Sequence, residues 1–207
     1  RAGNSSCIFG EPFVTEKLHG LDFDVEMASF FQTNPASAER LYDEAVNEAM
    51  AAIDTDSNQD KLIMDLFCGT GTIAQLLARA SGRKIIGVDI VEQAIIDAKK
   101  NAAKNDISNV EFYAADVGKF LLEYPAYKGK IQTIVLDPPR AGISPKTLRK
   151  VIRLDAERLV YISCNPATQA RDIATLNEFG YQLIKLKFVD QFPHTAHVEA
   201  IGVFEKT

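Results

Sequence analysis

Cys164 stands in the run Ser163-Cys164-Asn165-Pro166, where a short apolar segment ends and a helix is due to begin. A thiolate is a strong nucleophile, and the amides of a helix amino terminus favour negative charge. This placement is expected to draw the thiol pKa from about 8.5 toward neutrality. Asp137-Pro138-Pro139-Arg140 follows another apolar segment. Two prolines lock φ twice and remove two amide donors, which leaves a stiff, carbonyl-lined ledge on which a flat group can rest. Glu199 breaks the apolar stretch 198–204. A carboxylate there is costly unless paired or used, and burial raises its pKa toward that of a working base. The plain alternative is an edge-strand side chain facing water. His194 and His197 invite a metal reading, but no third ligand has a suitable spacing, so no metal site is expected. Cys7 and Cys68 read as buried filler.

Asp65-Leu66-Phe67-Cys68-Gly69-Thr70-Gly71-Thr72 lies at a second junction between an apolar segment and a helix. Glycines there let backbone approach a ligand, and the helix terminus favours a negative group. Asp89 closes the next apolar segment, near where doubly wound nucleotide folds place an acid on ribose hydroxyls, and Asp116 follows the segment after that. A dinucleotide is the first rival as cofactor, but its third glycine is replaced by Ala74. Asp65, upstream of the glycines, would repel a pyrophosphate and can pair with the ammonium of an amino-acid group. That favours S-adenosylmethionine. The plain alternative makes Gly69 and Gly71 a tight turn and Asp89 and Asp116 helix caps.

These groups need a sheet whose strand ends converge. From about residue 60, apolar runs alternate with amphipathic stretches, with Gly, Asp, Asn or Pro at each switch. Strands are expected over 61–67, 84–89, 110–114, 131–137 and 158–163, and their continuous apolar character suits a parallel sheet covered on both faces. Helices are expected over 72–80, 91–105, 145–154 and 166–179. The last has Asn165 as N-cap, Pro166 at its first position, Gly180 beyond its end, and Ala170, Ile173 and Leu176 on one face. Segments 182–189 and 198–205 read as an antiparallel hairpin at the sheet edge. Before the sheet, 13–18 and 21–27 read as two strands about His19-Gly20, and Asn34-Pro35 opens a helix to about residue 53.

The chain has 207 residues, 46% of them apolar and 25% charged, a composition that excludes disorder and low-complexity repeats. No stretch approaches a membrane span and no signal peptide is visible, so a cytoplasmic location is expected. Three cysteines are too few for a disulfide framework. A net charge of -5 gives no global attraction to phosphate, so any nucleic-acid role needs a local basic surface or another domain. Lys146, Arg149, Lys150 and Arg153 fall on one face of the helix after the ledge, and they read either as a solvated face or as a phosphate contact.

Taken together, Phe31-Gln32-Thr33-Asn34, DLFCGTGT from Asp65, LDPPRAG from Leu136, SCNP from Ser163 and HVEAI from His197 resemble the RNA 5-methyluridine methyltransferase family, which acts on tRNA and 23S rRNA. The resemblance implies an α/β, Rossmann-like class I methyltransferase fold, with a seven-stranded, mostly parallel sheet and an antiparallel C-terminal strand. It implies methyl transfer from S-adenosylmethionine to uracil C5 through a covalent bond between Cys164 and C6, with Glu199 as general base. Gln32, Phe67, Thr72, Asp89 and Asp137 match cofactor-contacting positions, and Asp116 resembles the acid that meets the adenine edge. Asp65 and Gly69 complete the cofactor set, while Pro138, Pro139 and Arg140 shape the substrate slot. Family members are about twice this long and carry amino-terminal RNA-binding parts. The chain is thus expected to be a catalytic-domain fragment, with 1–35 the tail of a central β-rich domain and 36–207 the catalytic domain. Three alternatives stay open: a 5-methylcytosine enzyme, an amino-group nucleic-acid methyltransferase, and a non-catalytic cofactor-binding module.

Overall fold

A computed structural model describes residues 10–11, 13–26, 34–52, 60–191, 193–195 and 197–207. The first elements are a hairpin of β1 (Phe13–Leu18) and β2 (Leu21–Glu26), followed by α1 (Pro35–Met50). The hairpin turn sits on His19 and Gly20, both at positive φ. Helix α1 starts where Asn34 accepts a hydrogen bond from the Ser37 amide, with Pro35 at its first position.

Alternation of strand and helix then builds the main domain: β3 (Leu62–Leu66), α2 (Thr72–Ser81), β4 (Ile85–Asp89), α3 (Glu92–Lys104), β5 (Val110–Ala114), α4 (Val117–Glu123), β6 (Ile131–Leu136), α5 (Pro145–Arg153), β7 (Arg158–Ser163), α6 (Pro166–Glu178), β8 (Tyr181–Val189) and β9 (Glu199–Lys206). The seven-stranded sheet runs in the order β5-β4-β3-β6-β7-β9-β8. Neighbours are parallel from β5 to β7, and β9 slots antiparallel between β7 and β8. This is the mostly parallel sheet with an antiparallel C-terminal strand expected from the sequence. Helix α4 was not anticipated, because its seven residues are too short to display a helical period.

Each sheet face carries its own core. Leu41, Tyr42 and Ala45 of α1, Ile73 and Leu77 of α2 and Ala98 of α3 cover Ile63, Ile85, Val135, Val160, Ile162, Ile201 and Val203. On the other face Phe120 of α4, Leu148 and Val151 of α5 and Leu176 of α6 cover Met64, Leu66, Ile134, Leu136, Tyr161 and Phe204. The hairpin joins the first core through Leu18, Leu21 and Phe23. Two asparagines one turn apart, Asn101 on α3 and Asn105 at its C-cap, fasten it. Asn101 accepts from the Asp24 amide and donates to the Asp24 carbonyl, and Asn105 does the same at Asp22. They pair with the edge of β2 as a third strand would.

The expected apolar face of α6 needs correction. Ala170 is exposed and Ile173 half-buried, while Gln169, Asp172 and Leu176 are the buried residues. Gln169 Nε2 donates to the Tyr161 carbonyl at 2.8 Å, and Asp172 Oδ2 accepts from Tyr161 Oη at 2.7 Å and from the Ile143 amide at 3.0 Å. Polar residues with complete hydrogen bonds take positions that a hydrophobic period cannot reveal.

Candidate active site

Side chains alternate between the faces of a strand, so the core residues show where each strand end points. Counting by twos from Ile63, Ile85, Val135, Ile162 and Ile201, the groups Asp65, Asp89, Asp137, Cys164 and Glu199 all fall on the face covered by α1, α2 and α3. Parallel strands bring the first four to one carboxyl edge. The reversed direction of β9 brings its first residue, Glu199, to the same edge, since Ser163 pairs with Ala200.

At the β3–β4 end, Asp65 is fully buried and neither carboxylate oxygen has a hydrogen-bond partner. Burial, with repulsion from Asp137 and Asp89, pushes its pKa up to about 8, although the Ala74 amide is close enough to hold it back slightly. An orphaned buried carboxyl beside a glycine turn fits a cationic ligand group. Asp89 organises that turn: Oδ2 accepts from the Gly69 amide at 2.9 Å and Oδ1 from the Val91 amide at 2.8 Å. A Cβ on Gly69 would meet nothing within 4 Å, so that residue borders open space. Gly71 has another reason to be glycine, because with φ at +76° its Cβ would fall 2.5 Å from the Phe112 ring. Phe67 also adopts positive φ, at 68°, which for an aromatic residue is strain held in place by the surrounding turn. Thr72 opens α2 and is buried. Asp116 is exposed and caps α4 by accepting from the Lys119 amide at 2.9 Å, which was the plain reading of it. Gln32 lies outside the described residues.

At the β7–β9 end, Cys164 is half-buried and Glu199 is 4% exposed. Burial raises the Glu199 pKa, and the nearby Arg140 charge pulls it back. Burial also raises the Cys164 thiol; Glu199 and Asp137 push it further up while Arg140 opposes them. The expected drop toward neutrality is therefore reversed. Cys164 precedes the N-cap of α6, whose Asn165 side chain already takes the Ala167 amide, and two acids share its surroundings. Asp137 sits between the two ends. Burial, then Glu199 and Asp89, lift its pKa to about 7.

The ledge after Asp137 is bolted to α6. Asn165 Nδ2 and Thr168 Oγ1 both donate to the Arg140 carbonyl at 3.3 Å, and Arg171 Nη2 donates to the carbonyls of Ala141 and Ile143 at 3.3 Å. Pro138 is buried and Pro139 exposed. The Arg140 guanidinium meets His197 Nδ1 at 3.3 Å.

Two buried residues near this edge were not singled out in the sequence. Thr133 and Arg158 hold the carbonyls of Ala49 and Glu48, which fastens the end of α1 at the far side of the sheet, so its first turns rise to the site. Tyr42 there is 6% exposed, and its hydroxyl pKa is raised by burial and then by Asp137, Asp65 and Glu199. A tyrosine among alanines on the buried stripe Ala38, Tyr42, Ala45 and Ala49 was the available signal. Gln191 is 1% exposed with both amide ends unpartnered. Among the charges on α5, Lys146, Arg149 and Arg153 are exposed, whereas Lys150 is turned inward to donate to the Gly118 carbonyl at 2.6 Å.

Residues 1–207 match the family described as tRNA (uracil-5-)-methyltransferase. The chain is 42% identical over 199 residues to an uncharacterised RNA methyltransferase of Clostridium acetobutylicum, covering 96% of this chain and 41% of the relative. It is 42% identical over 200 residues to one from Caldanaerobacter subterraneus, covering 97% and 42%. The Pyrococcus abyssi tRNA (uracil-54, C5)-methyltransferase, solved with S-adenosyl-L-homocysteine, superposes with a TM-score of 0.80 at 32% identity, over 95% of this chain and 45% of that one. The chain thus spans about two fifths of the length of these curated relatives.

Proposed function

Since the chain belongs to the tRNA (uracil-5-)-methyltransferase family, we propose that it is the catalytic part of an enzyme that methylates C5 of a uridine in RNA, with S-adenosylmethionine as methyl donor. The observation that carries this reading is the convergence of Cys164, Glu199 and Asp137 on one sheet face, close enough that each acid raises the thiol pKa. The orphaned Asp65 carboxyl and the open space at Gly69 fit the amino-acid end of the donor, and Asp89 fits its ribose. When bound, S-adenosylmethionine supplies an electrophilic methyl group. Phe67, Thr72, Asp116, Asp137 and Gln32 complete the proposed cofactor set.

The chain's own residues supply the rest. Uracil C5 is a weak carbon nucleophile until C6 is attacked. The Cys164 thiolate adds to C6, and the C5–C6 π electrons move toward C4–O4 to make an enolate whose C5 is electron-rich. Once C5 carries the methyl group, Glu199 takes the remaining C5 hydrogen as a proton. The freed electron pair restores the C5–C6 double bond and expels the sulfur as thiolate. Burial suits Glu199 to this task by raising its affinity for a proton. The Pro138-Pro139 ledge, locked by α6, would hold the base flat, which requires a target inside folded RNA to be flipped out.

RNA is bound in part by the exposed Lys146, Arg149 and Arg153 row, and otherwise by regions of the longer relatives that this chain does not span. Within that proposal 1–35 belongs to a preceding β-rich domain and 36–207 to the catalytic domain, with Asn101 and Asn105 fastening one to the other. Trapping tests the reading. Glu199→Gln should accumulate a covalent RNA adduct, seen as a slow-migrating band in a denaturing gel, because proton removal follows bond formation. Absence of an adduct from the wild type and the variant alike, including with 5-fluorouridine RNA, would sink it.

A further inference from the structure

The two proposed reacting groups leave a charge problem, since Cys164 must become a thiolate beside Glu199 and Asp137. Arg140 is the cation among the described residues that opposes both the thiol and the Glu199 shifts. Its placement is fixed from two sides. The backbone carbonyl accepts from Asn165 Nδ2 and Thr168 Oγ1, on the turn that directly follows Cys164. The guanidinium meets His197 Nδ1 at 3.3 Å, two residues before Glu199. Gly142, at φ +72°, lets the loop close onto α6, where an added Cβ would lie 2.7 Å from Arg171 Nη2 and 2.9 Å from Asp172 Oδ2.

We propose that Arg140 is a positioning residue for the nucleophile: bridging the Cys164 turn and the Glu199 strand, it supplies the positive charge that opposes Glu199 and Asp137 and eases loss of the Cys164 proton. This deepens the reading of Cys164 as nucleophile and rests on it. Among the described residues, the charged groups acting on the thiol are Glu199 of β9, Asp137 after β6 and Arg140 of the loop, with His197 in contact with the guanidinium. Removing Arg140 leaves, among the described charged groups acting on the thiol, only the two acids, so the thiol should titrate higher. Lysine keeps the charge but loses the planar fork that reaches His197, so it should restore the thiolate only in part.

The test needs no RNA. Cys164 is alkylated with iodoacetamide across a pH series, and its modification is read by peptide mass mapping, which separates it from Cys7 and Cys68. Relative to wild type, Arg140→Met should move the midpoint up by about one pH unit, and Arg140→Lys by less. The melting temperature and S-adenosylhomocysteine affinity of both variants should stay near wild type. An unmoved midpoint in Arg140→Met overturns the proposal, as does an equal shift in Arg140→Lys. Failure of the methylation reading would appear elsewhere, as RNA that is never modified by wild type, whatever the alkylation midpoints.

Discussion

Asp65, Asp137, Cys164 and Glu199 each hold their protons more tightly than the free side chains do, and burial is the first cause in every case. Adduct formation should therefore climb with pH through neutrality and beyond the ordinary thiol range, instead of levelling off below pH ~7. A rate profile for adduct formation with 5-fluorouridine RNA checks this; a plateau in weakly acidic solution would contradict it. Cys164→Ala should abolish methyl transfer yet leave S-adenosylhomocysteine affinity near that of wild type, because most of the proposed cofactor groups lie at the β3–β4 end, away from the thiol. That these residues gather at one sheet edge was legible from their positions at strand ends, Asp65 and Glu199 in particular. The sign of the Cys164 shift was not, since a helix terminus is visible in sequence whereas two acids from β6 and β9 meet the thiol only after folding.

Elements were legible from continuous apolar runs and from cap residues, which gave the strands and α6 within a residue or two of their ends. What lay beyond reach was polar packing between elements. Asp172 joins Tyr161 of β7, the Ile143 amide and Arg171, and this pins the loop that follows the Pro138-Pro139 ledge. Asp172→Ala strands those partners in a buried site and should cost about 3 kcal/mol by denaturant unfolding. The α5 row divides by the same logic. Charge reversal at Lys146, Arg149 and Arg153 should weaken RNA affinity and flatten its salt dependence. Lys150→Ala should instead lower stability with little change in salt slope, because its ammonium is spent on Gly118. Filter binding across a salt series separates the two outcomes.

Across the whole molecule, the acid groups gathered at one sheet edge are counted in the formal net charge of -5 and link stability to pH. The folded pKa values of Asp65 and Asp137, about 8 and about 7, lie above the ordinary 3.8. The folded protein thus binds more protons than the unfolded chain, so this contribution is complete below pH 3.8 and is lost as pH rises through about 7 and about 8. The melting temperature of the ligand-free protein should fall by on the order of 5 °C between pH ~5 and ~9, and Asp65→Asn should flatten the fall in a calorimetric series. Chemistry at these strand ends is decided most directly by incubating the chain with methyl-labelled S-adenosylmethionine and bulk RNA, then digesting the RNA to nucleosides. The label should appear in 5-methyluridine with the wild type and vanish with Cys164→Ala. Label in 5-methylcytidine or an amino-methylated base, or 5-methyluridine formed equally well without the Cys164 thiol, would contradict the account.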